Sequence, residues 1–156
     1  MATPTEALPM QREVVLTRRL AAPRALVFRA FTDPAHLARW WGPQGFTTPI
    51  VEIDLKLGGD LTIVMQGPDG QRYPMTGTID ALEPPEHFAY QFEAHVTEAG
   101  PALRGRNALR LIEKDGGTEL TITASAEGLI PQAAFMLAGM DAGWSQSLDK
   151  LTAFLA

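Results

Sequence analysis

Between Phe46 and Ile122 apolar residues return at every second position, and beyond Gly128 they return at every third or fourth. Period two marks half-buried strands, and period 3.6 marks an amphipathic helix. A run of strands followed by one long helix leaves few architectures. Strands joined by short turns form an antiparallel sheet with one apolar face, and that face must be covered. Only the last helix is long enough to cover it.

The individual strands are read from their punctuation. Val51, Ile53 and Leu55 share a face before Gly58-Gly59 turns the chain, and Leu61, Ile63 and Met65 share the next. After the strong turn signal Gly67-Pro68-Asp69-Gly70, alternation resumes at Tyr73, Met75, Gly77 and Ile79 and stops at Glu83-Pro84-Pro85-Glu86. Phe88, Tyr90 and Phe92 follow in step, and the stretch 97–105, which holds Gly100, Pro101 and Gly105, reads as a polar loop. Leu109 and Leu111, the turn Asp115-Gly116-Gly117, and Leu120 with Ile122 complete two more strands. Pro131 opens a helix predicted to run almost to the C-terminus, with Met136, Met140, Trp144, Leu148, Leu151 and Leu155 in one arc.

Ahead of this block, Glu13 to Leu20 alternates as a strand with Val14, Leu16 and Leu20 on one side. Pro23 suits the first turn of a helix, whose expected buried stripe is Leu26, Val27, Ala30 and Phe31. Asp33 as N-cap and Pro34 at the first helical position start a second short helix, which carries Leu37, Trp40 and Trp41 and ends at Gly42-Pro43. The order is therefore strand, two short helices, six strands and a long helix. This is an α+β fold: a curved antiparallel sheet wrapped around a long C-terminal helix. Residues 1–11 have no period and read as a flexible tail, which leaves 12–156 as one domain. The opening MATPTEALPMQR has neither the basic nor the apolar region of a secretory signal.

Composition removes several classes of function. Lys and Arg total 13 against 18 Asp and Glu, and no basic cluster interrupts the net charge of -5, which argues against a nucleic-acid groove. The chain has no cysteine, so disulfides, thiolate metal sites and cysteine nucleophiles are excluded and a reducing cytoplasm fits best. No apolar run approaches the roughly 18 residues of a membrane span.

Five stretches in series resemble one superfamily: APRALVFRAFTDPAHLARWWGP (22–43), DLKLGG (54–59), GTIDALEPPEHFAY (77–90), GGTELTIT (116–123) and AGWSQSLDKLTAFL (142–155). Together they resemble the START/SRPBCC helix-grip superfamily, in the branch named after the activator of the heat-shock-protein-90 ATPase. The resemblance implies a deep cavity between sheet and C-terminal helix. It also implies apolar ligands such as lipids, sterols, hormones or polyketides, carried or, in some members, cyclised or dehydrated. Lys56 stands where this family usually has Arg, which weakens any bidentate role at that position.

Candidate ligand-binding residues follow from which side chains share the expected interior. Trp41 and Phe46 stand, with Trp40, where the second helix hands over to the sheet; they suit a cavity rim and equally a plain core. Met65, Met75, Met136 and Met140 face the same interior, where flexible thioethers adapt to an irregular guest or fill gaps in a core. Trp144 points into the same arc beside Gly143, and its indole N–H could orient a ligand oxygen. Gly139 and Gly143 each cost on the order of 1 kcal/mol inside a helix, which calls for either close packing, ligand space or a kink. Tyr90 and Asn107 are the inward polar residues suited to hydrogen-bond a ligand, unless they serve neighbouring backbone.

Catalytic machinery is not apparent. Glu93 and His95 share a strand face but point to solvent and lack a third metal ligand; His36 is expected on an exposed side of its helix. No nucleophile–base pair, inward carboxylate pair or phosphate loop is present. No cofactor is therefore expected. The function expected is binding or carriage of a small apolar molecule, with a homodimer compatible with the chain. A polyketide cyclase- or dehydratase-like enzyme is the alternative, as is a co-chaperone-like interaction domain marked by an exposed apolar patch at Trp40 and Trp41.

Overall fold

A computed structural model describes residues 10–97 and 100–156. The elements are β1 (Met10–Leu20), α1 (Arg24–Thr32), α2 (Pro34–Trp40), β2 (Thr47–Ile53), β3 (Asp60–Gln66), β4 (Arg72–Glu83), β5 (His87–Thr97), β6 (Gly100–Lys114), β7 (Gly117–Gly128), α3 (Ala133–Ala138) and α4 (Met140–Leu155). The seven strands form one antiparallel sheet in the order β1-β7-β6-β5-β4-β3-β2. β1 and β2 are thus the two edges, and α1 and α2 carry the chain from one edge to the other. The sheet curls around α4 in a helix-grip arrangement. No helix of the described residues is long and apolar enough to cross a membrane.

The expected alternation is clearest in β7, where every second residue from Thr118 to Gly128 is buried. Leu120, Ile122, Leu109, Leu111 and Phe88 fill one end of the interior with exposures of 3% or less. Against them pack Leu148 and Leu151 of α4, both fully buried. Each such side chain contributes roughly 1.5–3 kcal/mol on leaving water. The β6–β7 hairpin turns through Asp115 and Gly116, both with positive φ, the geometry a two-residue turn needs and an Asp-Gly pair supplies.

Asp33 ends α1 and begins α2. Its Oδ1 accepts from the backbone N–H groups of Ala35 (2.9 Å) and His36 (3.4 Å), as the N-cap reading requires. The buried indole of Trp40 donates to Ala30 O (3.0 Å) and locks the two helices together. The stripe of α1 differs by one residue from expectation: Phe28 is buried, and Leu26, in the first turn, is 38% exposed.

Three further expectations need correction. The presumed tail ends earlier, because Met10 and Gln11 already pair with Gly128 and Glu127 in β1; residues 1–9 lie outside the described residues. Of the presumed loop, Gly100 to Gly105 belongs to β6, and Ala102 and Leu103 are buried. Pro101 is tolerated there because the β5–β6 register shifts beside it, where a missing N–H breaks no regular ladder. Finally, the C-terminal helix is two helices. At Gly139 (φ −91°, ψ 3°) the backbone leaves the helical region, and Arg12 of β1 occupies the break. Its Nη1 donates to the carbonyls of Leu137 (2.6 Å) and Ala138 (2.9 Å), and its Nη2 pairs with Asp141 at 3.3 Å. Arg18 repeats the attachment lower down, donating to Asp149 Oδ1 (2.7 Å) and Ser145 Oγ (3.0 Å).

Curvature has a local cause. Gly77, Phe92, Gly105 and Ala126 lie side by side across four strands. A Cβ on Gly77 would collide with the carbonyl oxygen of Gln91, and one on Gly105 with that of Ser125. Glycine inside a strand ordinarily weakens it; here it permits backbone approach that no other residue allows. Gly105→Ala is expected to lower stability by more than about 2 kcal/mol in urea melts, since the clash is with main chain that cannot step aside. An unchanged midpoint would show that the bend does not depend on this residue.

Candidate functional site

Where the sheet carries its smallest side chains, the interior is not filled. A cavity of about 190 Å³ lies between the curved sheet and the α3–α4 break. Ala94, Leu103 and Ala126 form its floor, together with Phe92 and Asn107. Met136 of α3 and Met140 and Trp144 of α4 make the roof. The side wall comes from Met65 and Met75 and from the α2–β2 connection at Trp41, Gly42 and Pro43.

Seven of the nine residues singled out by sequence therefore meet at one place: Trp41 and Asn107, the four methionines, and Trp144. Phe46 does not. It packs behind the connection, with its ring 5.9 Å from that of Tyr73, and is separated from the cavity by Gly42. Gly42 has φ +100°, and a Cβ there would press on Met65 Sδ at 3.2 Å, so the close turn that brings Trp41 inward is reserved for glycine. Tyr90 does not line the cavity either. It is 6% exposed and lies one step deeper, beside Phe31, Leu37 and Trp41.

Tyr90 reaches the cavity only through its neighbour. Tyr90 and Asn107 are directly opposed on β5 and β6, and Asn107 Nδ2 donates to the phenol oxygen at 3.1 Å. Burial pushes the Tyr90 pKa up, against the opposing pull of the Asn107 bond, so the phenol stays protonated. Ser147 is also at the cavity, but its hydroxyl donates to Gly143 O (2.9 Å) within the helix. Among the described residues no ionisable side chain lines the cavity.

An aromatic chain continues the wall into the core. Phe31 and Trp40 meet edge to face at 4.7 Å, Trp40 and Trp41 lie 5.7 Å apart, and Trp41 and Trp144 meet edge to face at 5.2 Å. Trp40 is fully buried and Trp41 only 9% exposed, so the apolar surface patch that would mark a docking face at these two residues is not formed. His36 is half-buried rather than exposed, its ring 5.5 Å from Phe154 of α4. Glu93 sits on the outer face opposite Arg104, and among the described residues no three His, Asp or Glu side chains converge as a metal site would.

The connection that forms the side wall is tied to α4. Lys150 Nζ donates to the carbonyls of Gly42 (3.2 Å), Phe46 (3.3 Å) and Pro43 (3.5 Å), and Gln146 Oε1 accepts from Gln44 N at 3.0 Å. Burial lowers the Lys150 pKa, yet three carbonyl dipoles converge on the ammonium. Nothing local in the sequence announces this lysine; its role depends on which loop lies opposite it. Two larger hollows, about 450 and 510 Å³, lie on the polar outer face near Gly105 and are lined by solvated side chains such as Glu13, Arg104, Gln91 and Thr76. Their walls are polar and charged, whereas the usual small-molecule site is lined mostly by apolar side chains.

A sheet gripping a C-terminal helix over an apolar cleft defines the helix-grip class of ligand-binding fold. The chain belongs to the Activator of Hsp90 ATPase homolog 1-like protein family, whose signature matches residues 21–156. It is similar to a solved protein of Nitrosomonas europaea, at 26% identity and a TM-score of 0.75 over 92% of this chain and 93% of that one. A protein of Chromobacterium violaceum is similar at 28% identity and a TM-score of 0.75, covering 92% and 96% of the two chains. The AHSA1 protein of Silicibacter pomeroyi is similar at 26% identity and a TM-score of 0.73, covering 91% and 96%. No curated protein matches the chain.

Replacing Lys150 by Met keeps the apolar stem and removes the three donors. Charge-assisted bonds of this kind are worth about 1.5–3 kcal/mol when buried, and this one is partly exposed, so a loss near 1 kcal/mol is expected. Hydrogen exchange at the Phe46 amide should quicken as the connection loosens. Unaltered exchange would mean that Gln146 alone holds the wall.

Proposed function

We propose that this protein binds or carries a small, mostly apolar molecule in the cavity between the sheet and the C-terminal helices, in the cytoplasm and without catalysis of its own. The observation that carries this reading is the composition of the cavity wall: mostly methionine, tryptophan and other apolar residues, with one amide, one hydroxyl and, among the described residues, no charge. Concave, largely apolar sites with few placed polar groups are the usual form of small-molecule sites. Four methionines around one space allow the wall to follow the shape of its occupant.

The size supports a small guest. Drug-sized ligands occupy about 300–1,000 Å³, whereas an engineered apolar cavity of about 150 Å³ holds a benzene molecule. At about 190 Å³ this cavity belongs with the second. The cyclase or dehydratase alternative needs an acid or base facing the ligand, and Tyr90 does not line the cavity.

The test is to fill the cavity from its roof. Met140 lines it and is only partly buried, so Met140→Trp should keep stability within about 1 kcal/mol while displacing the guest, in contrast to the 1–3 kcal/mol of an overpacked core. Leu151→Trp, on the fully buried face of the same helix, should be clearly destabilised. Urea melts alongside naphthalene titrations followed by fluorescence separate the two. A Met140→Trp variant that unfolds as readily as the Leu151 variant, or that binds naphthalene as well as the parent, removes the reading.

A further inference from the structure

We propose that Asn107 is the polar anchor of the ligand, and that the cavity selects an uncharged molecule of about one ring bearing a hydroxyl or a carbonyl. This rests on the cavity being the binding site and goes on to say what it selects.

The argument begins with the amide's inventory. A carboxamide offers two N–H donors and an oxygen with two lone pairs. Asn107 is 8% exposed, and among the described residues its side chain makes one hydrogen bond, the donation from Nδ2 to Tyr90. Its Oδ1 and second N–H are spare. They belong to the one cavity-lining side chain whose polar atoms are not already committed within its own helix, as those of Ser147 are, or carried on an indole ring, as in Trp144. These groups are open to the cavity, so a guest that pairs with them is favoured over a hydrocarbon of the same shape.

Tyr90 determines how the amide can serve. The phenol oxygen can either accept from Nδ2, as it does, or donate to Oδ1 if the amide turns over. In the first arrangement Oδ1 is free to accept from a ligand hydroxyl. In the second, both N–H groups are free to donate to a ligand carbonyl. One cross-strand pair thus receives an alcohol or a ketone. Tyr90 is the positioning residue in this scheme and touches no ligand.

Charge is excluded by what the wall lacks. A carboxylate entering the cavity would give up hydration without meeting a cation in the wall among the described residues. Lys150 lies outside the wall, its ammonium donating to the carbonyls of Gly42, Pro43 and Phe46. A cationic guest fares no better, since among the described residues no carboxylate lines the space.

The experiment compares four probes by isothermal titration or ligand-observed NMR at neutral pH: cyclohexanol, cyclohexanone, methylcyclohexane and cyclohexanecarboxylate. They are titrated into the full chain, into Asn107→Leu, and into the double variant Asn107→Leu/Tyr90→Phe. The double variant guards against misfolding, because removing both partners leaves no unpaired phenol behind. In the parent, the alcohol and ketone should bind, and the carboxylate should bind at least about tenfold more weakly than either, reflecting its desolvation. The ratio of alcohol to hydrocarbon affinity should fall about tenfold in both variants, the worth of one buried hydrogen bond. A ratio unchanged by either variant overturns the anchor while leaving the cavity reading intact, because the ring still binds. Carboxylate binding as tight as that of the alcohol overturns the selection for neutral guests. If no probe binds the parent and naphthalene fails as well, it is the binding reading itself that falls.

Discussion

The close backbone approach at Gly77 and Gly105 governs the rest of the molecule. Side chains at those positions would drive into the carbonyls of Gln91 and Ser125. Without that approach the sheet could not close around a helix, and Phe92, which stands between the two glycines, would not be carried to the floor of an interior space. The same row ends at Ala126 and Arg12. The glycines and the alanine of this row let neighbouring strands approach closely and leave the interior above them unfilled, and the row ends at Arg12, whose guanidinium holds the broken helix.

The interior has two zones with different rules. At one end, large apolar side chains interlock between sheet, α1 and α4 at exposures near zero, as in any close-packed core. At the other, alanines and glycines meet methionines across a space that they do not fill. The chain of aromatic rings from Phe31 to Trp144 joins the zones. One side of Trp41 is thus core and the other is cavity wall. Reading its residue type alone could not separate those roles, since both are apolar and buried.

Element order was legible in the sequence because the two periods, the proline-glycine punctuation and the Asp33-Pro34 start signal are all local. The gathering of seven of the nine singled-out residues was legible for the same reason, as periodicity assigns a side chain to a face. What escaped depended on partners distant in sequence. Arg12 alternates inconspicuously in its strand, yet its partners are the carbonyls of Leu137 and Ala138. Gly139 could be seen to cost stability, but whether the helix bends or breaks depends on that same arginine. Gly105 and Pro101 look like loop residues until the register of β5 against β6 is known. Tyr90 and Asn107 were each recognisable as inward and polar. That they face each other, so that one serves the other and only Asn107 meets the cavity, is a matter of register, which the sequence does not encode locally.

The strand order carries a consequence for how the chain comes to be folded. β7, β6, β5, β4 and β3 are successive neighbours and can pair as each hairpin is completed. β1, which precedes them all, pairs only with β7, Met10 finding Gly128 and Leu20 finding Thr118. During synthesis the first strand must therefore wait, its apolar side uncovered, until nearly the whole chain has followed it. Such long-range pairing slows folding and lengthens the time an unpaired edge is exposed to other chains. Arg12 and Arg18 lie on that waiting strand, and both are charged and point to the side on which the last helix will dock. Until α4 arrives, their charge serves a second purpose, keeping an orphan edge in water and apart from its neighbours.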